Sequence, residues 1–304
     1  MSPAKSQIRG NRTGCPHNYI FDFFIMIIFS PAKINLFLAV TGKRPDGYHN
    51  LITLMCPIAL FDEIVLDFNH DRIEVFCNHP DVPKDETNLA ARAVTAFCRH
   101  LNIQQGMSIQ IDKRIPVAAG LGGGSSNAAS VLLAMNRYHG NVLPPRVLSE
   151  MAITLGSDVP FFIYQKPAIV TGKGDKIEIF NRLSSFSVIL ICPPISVSTR
   201  MVYTNLNLGL TNCEQKLKKL LLNDCHFDPH YGLCNDLETV TVPMHPEIEE
   251  IKQMLIQNGA LGSLMSGSGP SVFAVFSDDQ AAARAYRSVS KDCCFPCYMT
   301  RLLV

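Results

Sequence analysis

Three groups of residues in this sequence have types and spacings that could do chemistry. The first is the run from Pro116 to Ser130, in which Gly120, Gly122, Gly123 and Gly124 are followed by Ser125, Ser126 and Asn127. Without Cβ atoms this backbone can take positive φ and lie close to a ligand. A helix is predicted to follow directly, with an apolar stripe at Ala128, Val131, Leu132, Met135 and Tyr138, Ser125 or Ser126 as N-cap, and Gly140 as stop. Such a turn gathers unpaired N–H groups at the positive end of a helix dipole, an anion site suited to phosphate. It is not a Walker A loop, because no lysine follows the glycines. It is not a dinucleotide fingerprint either, because Ser125 or Asn127 stands at the third small position and no later acid accompanies it. A plain flexible turn leaves the polar cluster beside the glycines without a reason.

The second group is Lys33, Asn35 and Asp158. Lys33 and Asn35 alternate with Ile34 and Leu36, which puts both polar side chains on one face of a strand. A lysine among apolar neighbours can also simply snorkel to the surface. Asp158 lies between a predicted helix, Pro145 to Leu155, and the apolar run Val159 to Ile163, read as a strand. There it is either a turn residue or a carboxylate at a cleft edge. The third group is Tyr48 and His49, delivered by the turn from Thr41 to Gly47. The pair could stack on and hydrogen-bond a planar ring, or form a partly buried structural pair. A second glycine loop, Met265 to Ser271, leads into a predicted strand from Val272 to Phe276. Its likeness to the first suggests two loops facing one ligand.

The elements that must hold these groups read as α+β. Met26 to Val40 reads as two strand-like pieces interrupted from Ser30 to Lys33, with a bend or bulge at Pro31. Further strands are predicted at Ile64 to Phe68, Ile73 to Phe76, Met107 to Ile111 and Val188 to Cys192. A helix from Thr87 to His100 is capped by Thr87 or Asn88, and a helix through Ile248, Ile251 and Leu255 ends at Gly259. Thr171 to Asp175 is a hairpin turn and not a phosphate site. Ser196 to Thr199 is a loop with Tyr203 a turn later, and the stretch from Thr211 to Asp236 is irregular.

With 304 residues, 47% of them hydrophobic, the chain can bury a large core, and we expect two domains, 26–165 and 166–304, after a disordered leader at 1–25. A net charge of +1 gives no field for nucleic acid or an anionic membrane, so neither is expected as a partner. The apolar run from Tyr19 to Phe29 falls short of the ~20 residues that span a bilayer. A signal peptide would fit the basic segment before it, but cleavage there would cut the first strand. The 11 cysteines are scattered, and only Cys294 and Cys297 have metal-like spacing, with no second pair to match. They read as reduced thiols of a cytoplasmic protein.

Taken together, Ser30-Pro-Ala-Lys-Ile-Asn-Leu36, Gly120-Leu-Gly-Gly-Gly-Ser-Ser-Asn127 and Ser266-Gly-Ser-Gly-Pro-Ser271 resemble the three motifs of the GHMP kinases, in order and at fitting intervals. The resemblance covers about residues 28–304 and extends to Arg44-Pro-Asp-Gly-Tyr-His49, Ile111 to Pro116 and Gly156-Ser-Asp-Val-Pro-Phe161. Two departures are mild: Gly-Ser-Asp where Gly-Ala-Asp is usual, and Ser-Gly-Ser-Gly-Pro where Thr-Gly-Thr-Gly can occur. The resemblance implies a two-domain α+β GHMP-kinase-like fold with the active site in the interdomain cleft, the first domain binding ATP. It implies transfer of the γ-phosphoryl group to an alcohol hydroxyl of a small molecule, with Mg²⁺. Asp158 would accept or orient the hydroxyl proton, and Lys33 would counter charge on the moving phosphoryl. Asn35 would place the substrate's polyol, Tyr48 and His49 would hold its cytosine, and Thr199 and Tyr203 would complete that side. Pro116, Val117, Ala118, Ala119, Gly120, Leu121, Gly122, Gly123, Gly124, Ser125, Ser126 and Asn127 would cradle the phosphates. Asn88 and Lys113 would lie near the adenosine. No acid in the motifs is an evident metal ligand, and Ser126 is the one tentative candidate. The protein would be a monomer or homodimer. Two alternatives are a GHMP kinase of homoserine or mevalonate type, which would not need Tyr48 and His49, and a non-catalytic nucleotide sensor, which would typically lose the lysine or the acid.

Overall fold

The computed structural model describes residues 25–211, 213 and 227–304. The expected leader lies, up to residue 24, outside the described residues. Strand β1 (Ile25–Lys43) organises the rest. Its first residues alternate, with Ile25, Ile27 and Phe29 outward, whereas Ser30 to Val40 are buried on both faces. It pairs antiparallel along its length with β2 (His49–Asp67), and the register shifts between Pro31 and Ala32, Asn35 and Phe37, and Val40 and Gly42. The expected break at Pro31 is therefore a bulge inside one continuous strand, as suits a residue with no ladder donor.

After β3 (Ile73–Cys77), helix α1 (Leu89–Leu101) and β4 (Met107–Asp112) come three helices, α2 (Gly123–Tyr138), α3 (Pro145–Leu155) and α4 (Val159–Tyr164). Asn88 caps α1 by accepting the Ala90 amide at 2.8 Å. Val159 to Ile163, expected as a strand, is instead the short helix α4. Pro160 sits in its first turn, where the missing amide hydrogen costs nothing, and its apolar residues are buried on every side. The helices pack Leu132, Met135, Leu148 and Phe162 against Ile64, Leu66 and Phe97 in one core.

Strands β5 (Ala168–Gly172) and β6 (Lys176–Ile179) form the expected hairpin and join the same sheet through β2. The second half then adds β7 (Ser187–Ile191), α5 (Thr199–Asn205), the single turn α6 (Pro229–Gly232), β8 (Cys234–Asn235), α7 (Glu238–Met244), α8 (Glu247–Gln257), β9 (Gly262–Met265), β10 (Val272–Phe276), α9 (Asp279–Asp292) and β11 (Cys297–Arg301). One sheet runs β3-β4-β2-β1-β8 with β5 on β2, and the other runs β11-β7-β10-β9. Ile34, Leu36 and Phe37 of β1 pack against Leu190 of β7 and Phe273 of β10, joining the sheets. The expectation that every cysteine is a free thiol fails at one pair: Cys213 and Cys234 are joined in a disulfide, while seven other described cysteines are free. Burial pushes Cys192 and Cys297 up to about 11.

Candidate active site

The glycine-rich run lines a pocket of about 410 Å³. Helix α2 begins three residues earlier than a cap at Ser125 would place it. Gly122, at φ 70°, is its N-cap and no side chain caps the first turn, so Ser125 and Ser126 lie within that turn. The left-handed conformation that starts the helix here is open to glycine at little cost. The first-turn amides are thus left facing the pocket at the positive end of the dipole. Every residue from Pro116 to Ser125 lines it, as do Asn127, Asn88 and Lys113. Ser126 does not: it is fully buried, and its hydroxyl oxygen accepts from Ser30 at 2.7 Å. Val82, Pro83 and Leu89 add an apolar part to the pocket lining, which sequence reasoning missed.

Next to the pocket residues Lys113 and Asn127 stands Asp62 of β2, wholly buried. Its carboxylate accepts from Lys113 Nζ at 2.7 Å, from Asn127 Nδ2 at 2.9 Å, and from the Arg114 and Ile115 amides at 2.8 Å each. Lys113 also donates to the Ile115 carbonyl at 2.8 Å. Lys113 is therefore held by protein on the pocket floor, close enough that a Cβ on Gly123 would meet its Nζ at 2.7 Å. Nothing in the sequence marked Asp62, because its partners come from the segment after β4 and from α2.

Lys33 and Asn35 share a face of β1, as their alternation predicts, and that face is inside the molecule. Lys33 Nζ donates to Asn35 Oδ1 at 2.6 Å and lies 3.6 Å from Asp158 Oδ2. Asp158 is the residue just before α4, and 31% of its side chain is exposed, so a ligand can reach it, whereas Lys33 is at 5%. The Lys33 amide donates to the Leu121 carbonyl at 3.0 Å, tying the strand to the glycine loop. The second glycine loop closes the other side. Ser266 donates to the Gly120 carbonyl at 3.1 Å, and a Cβ on Gly267 would lie 3.5 Å from Lys33 Nζ. The two glycine loops thus face each other across Lys33, as their likeness suggests.

Two of the residues expected for the substrate meet each other directly. His49 stacks on Tyr203 with ring centroids 5.3 Å apart. Burial and the neighbouring Lys43 push the His49 imidazole below its usual value, and burial with the Asp158 carboxylate pushes the Tyr203 phenol up. Tyr203 thus lies within electrostatic reach of Asp158. Tyr48 is 64% exposed, with its ring in solvent. Thr199 meets Ser268 of the second glycine loop, oxygen to oxygen, at 2.8 Å. Among the described residues no cluster of three His, Cys, Asp or Glu could hold a metal ion. What the site offers is an amide-lined anion cradle, one reachable carboxylate and one buried ammonium between them.

The family description "GHMP kinases N terminal domain" matches residues 88–166, and "GHMP kinases C terminal" matches residues 210–293. The 4-diphosphocytidyl-2-C-methyl-D-erythritol kinase of Syntrophotalea carbinolica is 45% identical over 262 residues, which is 86% of this chain and 93% of that protein. The enzyme of that name from Geobacter sulfurreducens is 43% identical, over 84% of this chain and 91% of its own. Among solved structures, one of a 4-(cytidine 5'-diphospho)-2C-methyl-D-erythritol kinase superposes with a TM-score of 0.76 at 30% identity, covering 91% of this chain and 99% of that one. Homoserine kinase from Cytophaga hutchinsonii gives a TM-score of 0.74 at 18% identity, over 95% and 97%, a likeness of fold.

Proposed function

The chain belongs to the GHMP kinase family, and from that premise we propose that it transfers the γ-phosphoryl group of ATP to the 2-hydroxyl of 4-diphosphocytidyl-2-C-methyl-D-erythritol, a step of the non-mevalonate (MEP) route to isoprenoid precursors. The observation that carries this reading is the meeting of Lys33 and Asp158, 3.6 Å apart, beside the glycine-lined pocket. The first-turn amides of α2 would hold the phosphates. Asn88, Lys113 and the apolar side chains of Val82 and Leu89 would flank the adenosine. Asp158 would accept the hydroxyl proton as the new bond from oxygen to phosphorus forms and the bond to the β-phosphate oxygen breaks. Lys33 would counter charge on the moving group. This chemistry asks mainly for positioning and charge compensation, and the site is built from groups that supply both.

Asn35 would place the polyol, and the stacked pair of His49 and Tyr203, with Tyr48 at the mouth and Thr199 behind, would take the cytosine end. Mg²⁺ would bind mainly through phosphate oxygens, since the chain offers it few donors, and would supply charge neutralisation on the triphosphate. The division we propose gives an N-terminal domain, 26–165, that binds ATP and carries Lys33, Asn35, Tyr48, His49 and Asp158, and a C-terminal domain, 166–304, that adds Thr199, Tyr203 and the second glycine loop, with hairpin β5 and β6 pairing onto the first sheet. We place the enzyme in the cytoplasm, as a monomer or homodimer. Seven free described cysteines fit that compartment, the Cys213–Cys234 disulfide being the exception, and no helix among the described residues is long and apolar enough to cross a membrane. A coupled ADP-release assay comparing 4-diphosphocytidyl-2-C-methyl-D-erythritol with homoserine and mevalonate tests the reading. Turnover of the cytidyl substrate is expected. Turnover of either other alcohol in its place would move the chain within the family, and turnover of none would favour a nucleotide sensor.

A further inference from the structure

Thr53 lies near the start of β2, fully buried, opposite Leu38 of β1 and beside Val170 of β5. Its hydroxyl donates to the Phe37 carbonyl at 2.6 Å and accepts from Asn35 Nδ2 at 2.8 Å. These bonds leave no freedom of proton placement. A hydroxyl has one hydrogen, and a carbonyl can only accept, so the Thr53 proton points to Phe37 and its oxygen must take a donor. That donor is the Asn35 amide NH₂, which turns Asn35 Oδ1 the other way, toward Lys33 Nζ at 2.6 Å. An ammonium can only donate, so the oxygen end of the amide is the end that suits it. With one N–H on Asn35 and a second directed toward Asp158 at 3.6 Å, Lys33 keeps a third for an anionic oxygen arriving between the glycine loops.

We propose that Thr53 is a positioning residue for phosphoryl transfer: its hydroxyl fixes the Asn35 amide with the oxygen toward Lys33 and so aims the ammonium between Asp158 and the glycine loops. The proposal rests on the reading of Lys33 and Asp158 as the transfer pair. Thr53→Val keeps the shape and removes the hydroxyl, so the Asn35 NH₂ loses its acceptor and the amide is no longer pinned in place against Lys33. Thr53→Ser keeps the hydroxyl.

The experiment is steady-state ADP release by the full chain, with thermal midpoints recorded for each variant. Thr53→Val is expected to lower kcat about tenfold, the worth of roughly one hydrogen bond, with KM for ATP changed by less than about twofold. Thr53→Ser is expected to stay within about twofold of the parent in kcat. Because Thr53 acts through Asn35, adding Thr53→Val to Asn35→Ala should cost less than about twofold more, whereas a merely structural effect would add in full. Full kcat in Thr53→Val, or the same tenfold loss in the Asn35→Ala background, overturns the proposal. If Thr53→Val does not fold, Thr53→Ala is read by the same criteria. Asp158→Asn in the same assay separates the two levels. If it keeps full rate, the underlying pair is wrong. If it loses rate while Thr53→Val does not, the role of Thr53 alone is lost.

Discussion

A carboxylate taken wholly out of water is tolerated only where every lone pair finds a donor, and Asp62 meets that condition through one ammonium, one side-chain amide and two backbone amides. Asp62→Asn would leave Lys113, itself only 4% exposed, as an uncompensated buried charge and would place an NH₂ against donors. We expect it to cost about 3–5 kcal/mol of unfolding free energy, the range for breaking a buried pair from one side. A urea titration with unchanged m-value would read this, and a loss below about 1 kcal/mol would show that Asp62 is not the anchor described here. Lys33 and Asn35 could be read from the sequence because alternation on a strand is a local signal. Asp62 and Thr53 could not, since each looks like an ordinary strand residue until β1, β4 or α2 is folded against it. The same limit hid the true state of Ser126, whose hydroxyl is claimed by Ser30 from β1.

At the scale of elements, the site depends on two glycine loops approaching more closely than side chains allow. A Cβ on Gly120, at φ +77°, would lie 2.3 Å from the Ser266 carbonyl oxygen and 3.0 Å from that of Gly269. Both obstacles are backbone, and left-handed φ itself costs an L-residue about 1–2 kcal/mol. Gly120→Ala is therefore expected to weaken ATP binding by at least ~10-fold, the scale of that strain, as the loops are pushed apart. Unchanged affinity in a direct ATP titration would mean that the loops do not share the ligand. The start of α2 and the nature of α4 were misread for related reasons. A serine cap is the usual signal, yet Gly122 turns the chain into the helix before the serines arrive. A short apolar run reads equally as a buried strand or a buried helix, and only tertiary packing decides between them.

At the scale of the molecule, β1 does the joining. It carries Lys33, holds the glycine loop through the Lys33 amide, pairs with β2 and with β8, and packs against the second sheet. The first strands, the helix after the glycines, the hairpin at Thr171 to Asp175 and the two facing loops were legible from periodicity and glycine spacing, whereas α4 read as a strand and the start of α5 as a loop. The disulfide between Cys213 and Cys234 and the return of β8 to β1 were not, because both join residues whose separation in the chain leaves no periodic trace. The central claim is that this arrangement brings one reachable carboxylate to the hydroxyl that receives the phosphoryl group. The most direct measurement is the kcat of Asp158→Asn beside its affinity for ATP. The account predicts a fall in kcat of at least ~10², the scale of a positioned acid or base, with nucleotide affinity barely changed. A variant that turns over at the parent rate would contradict it.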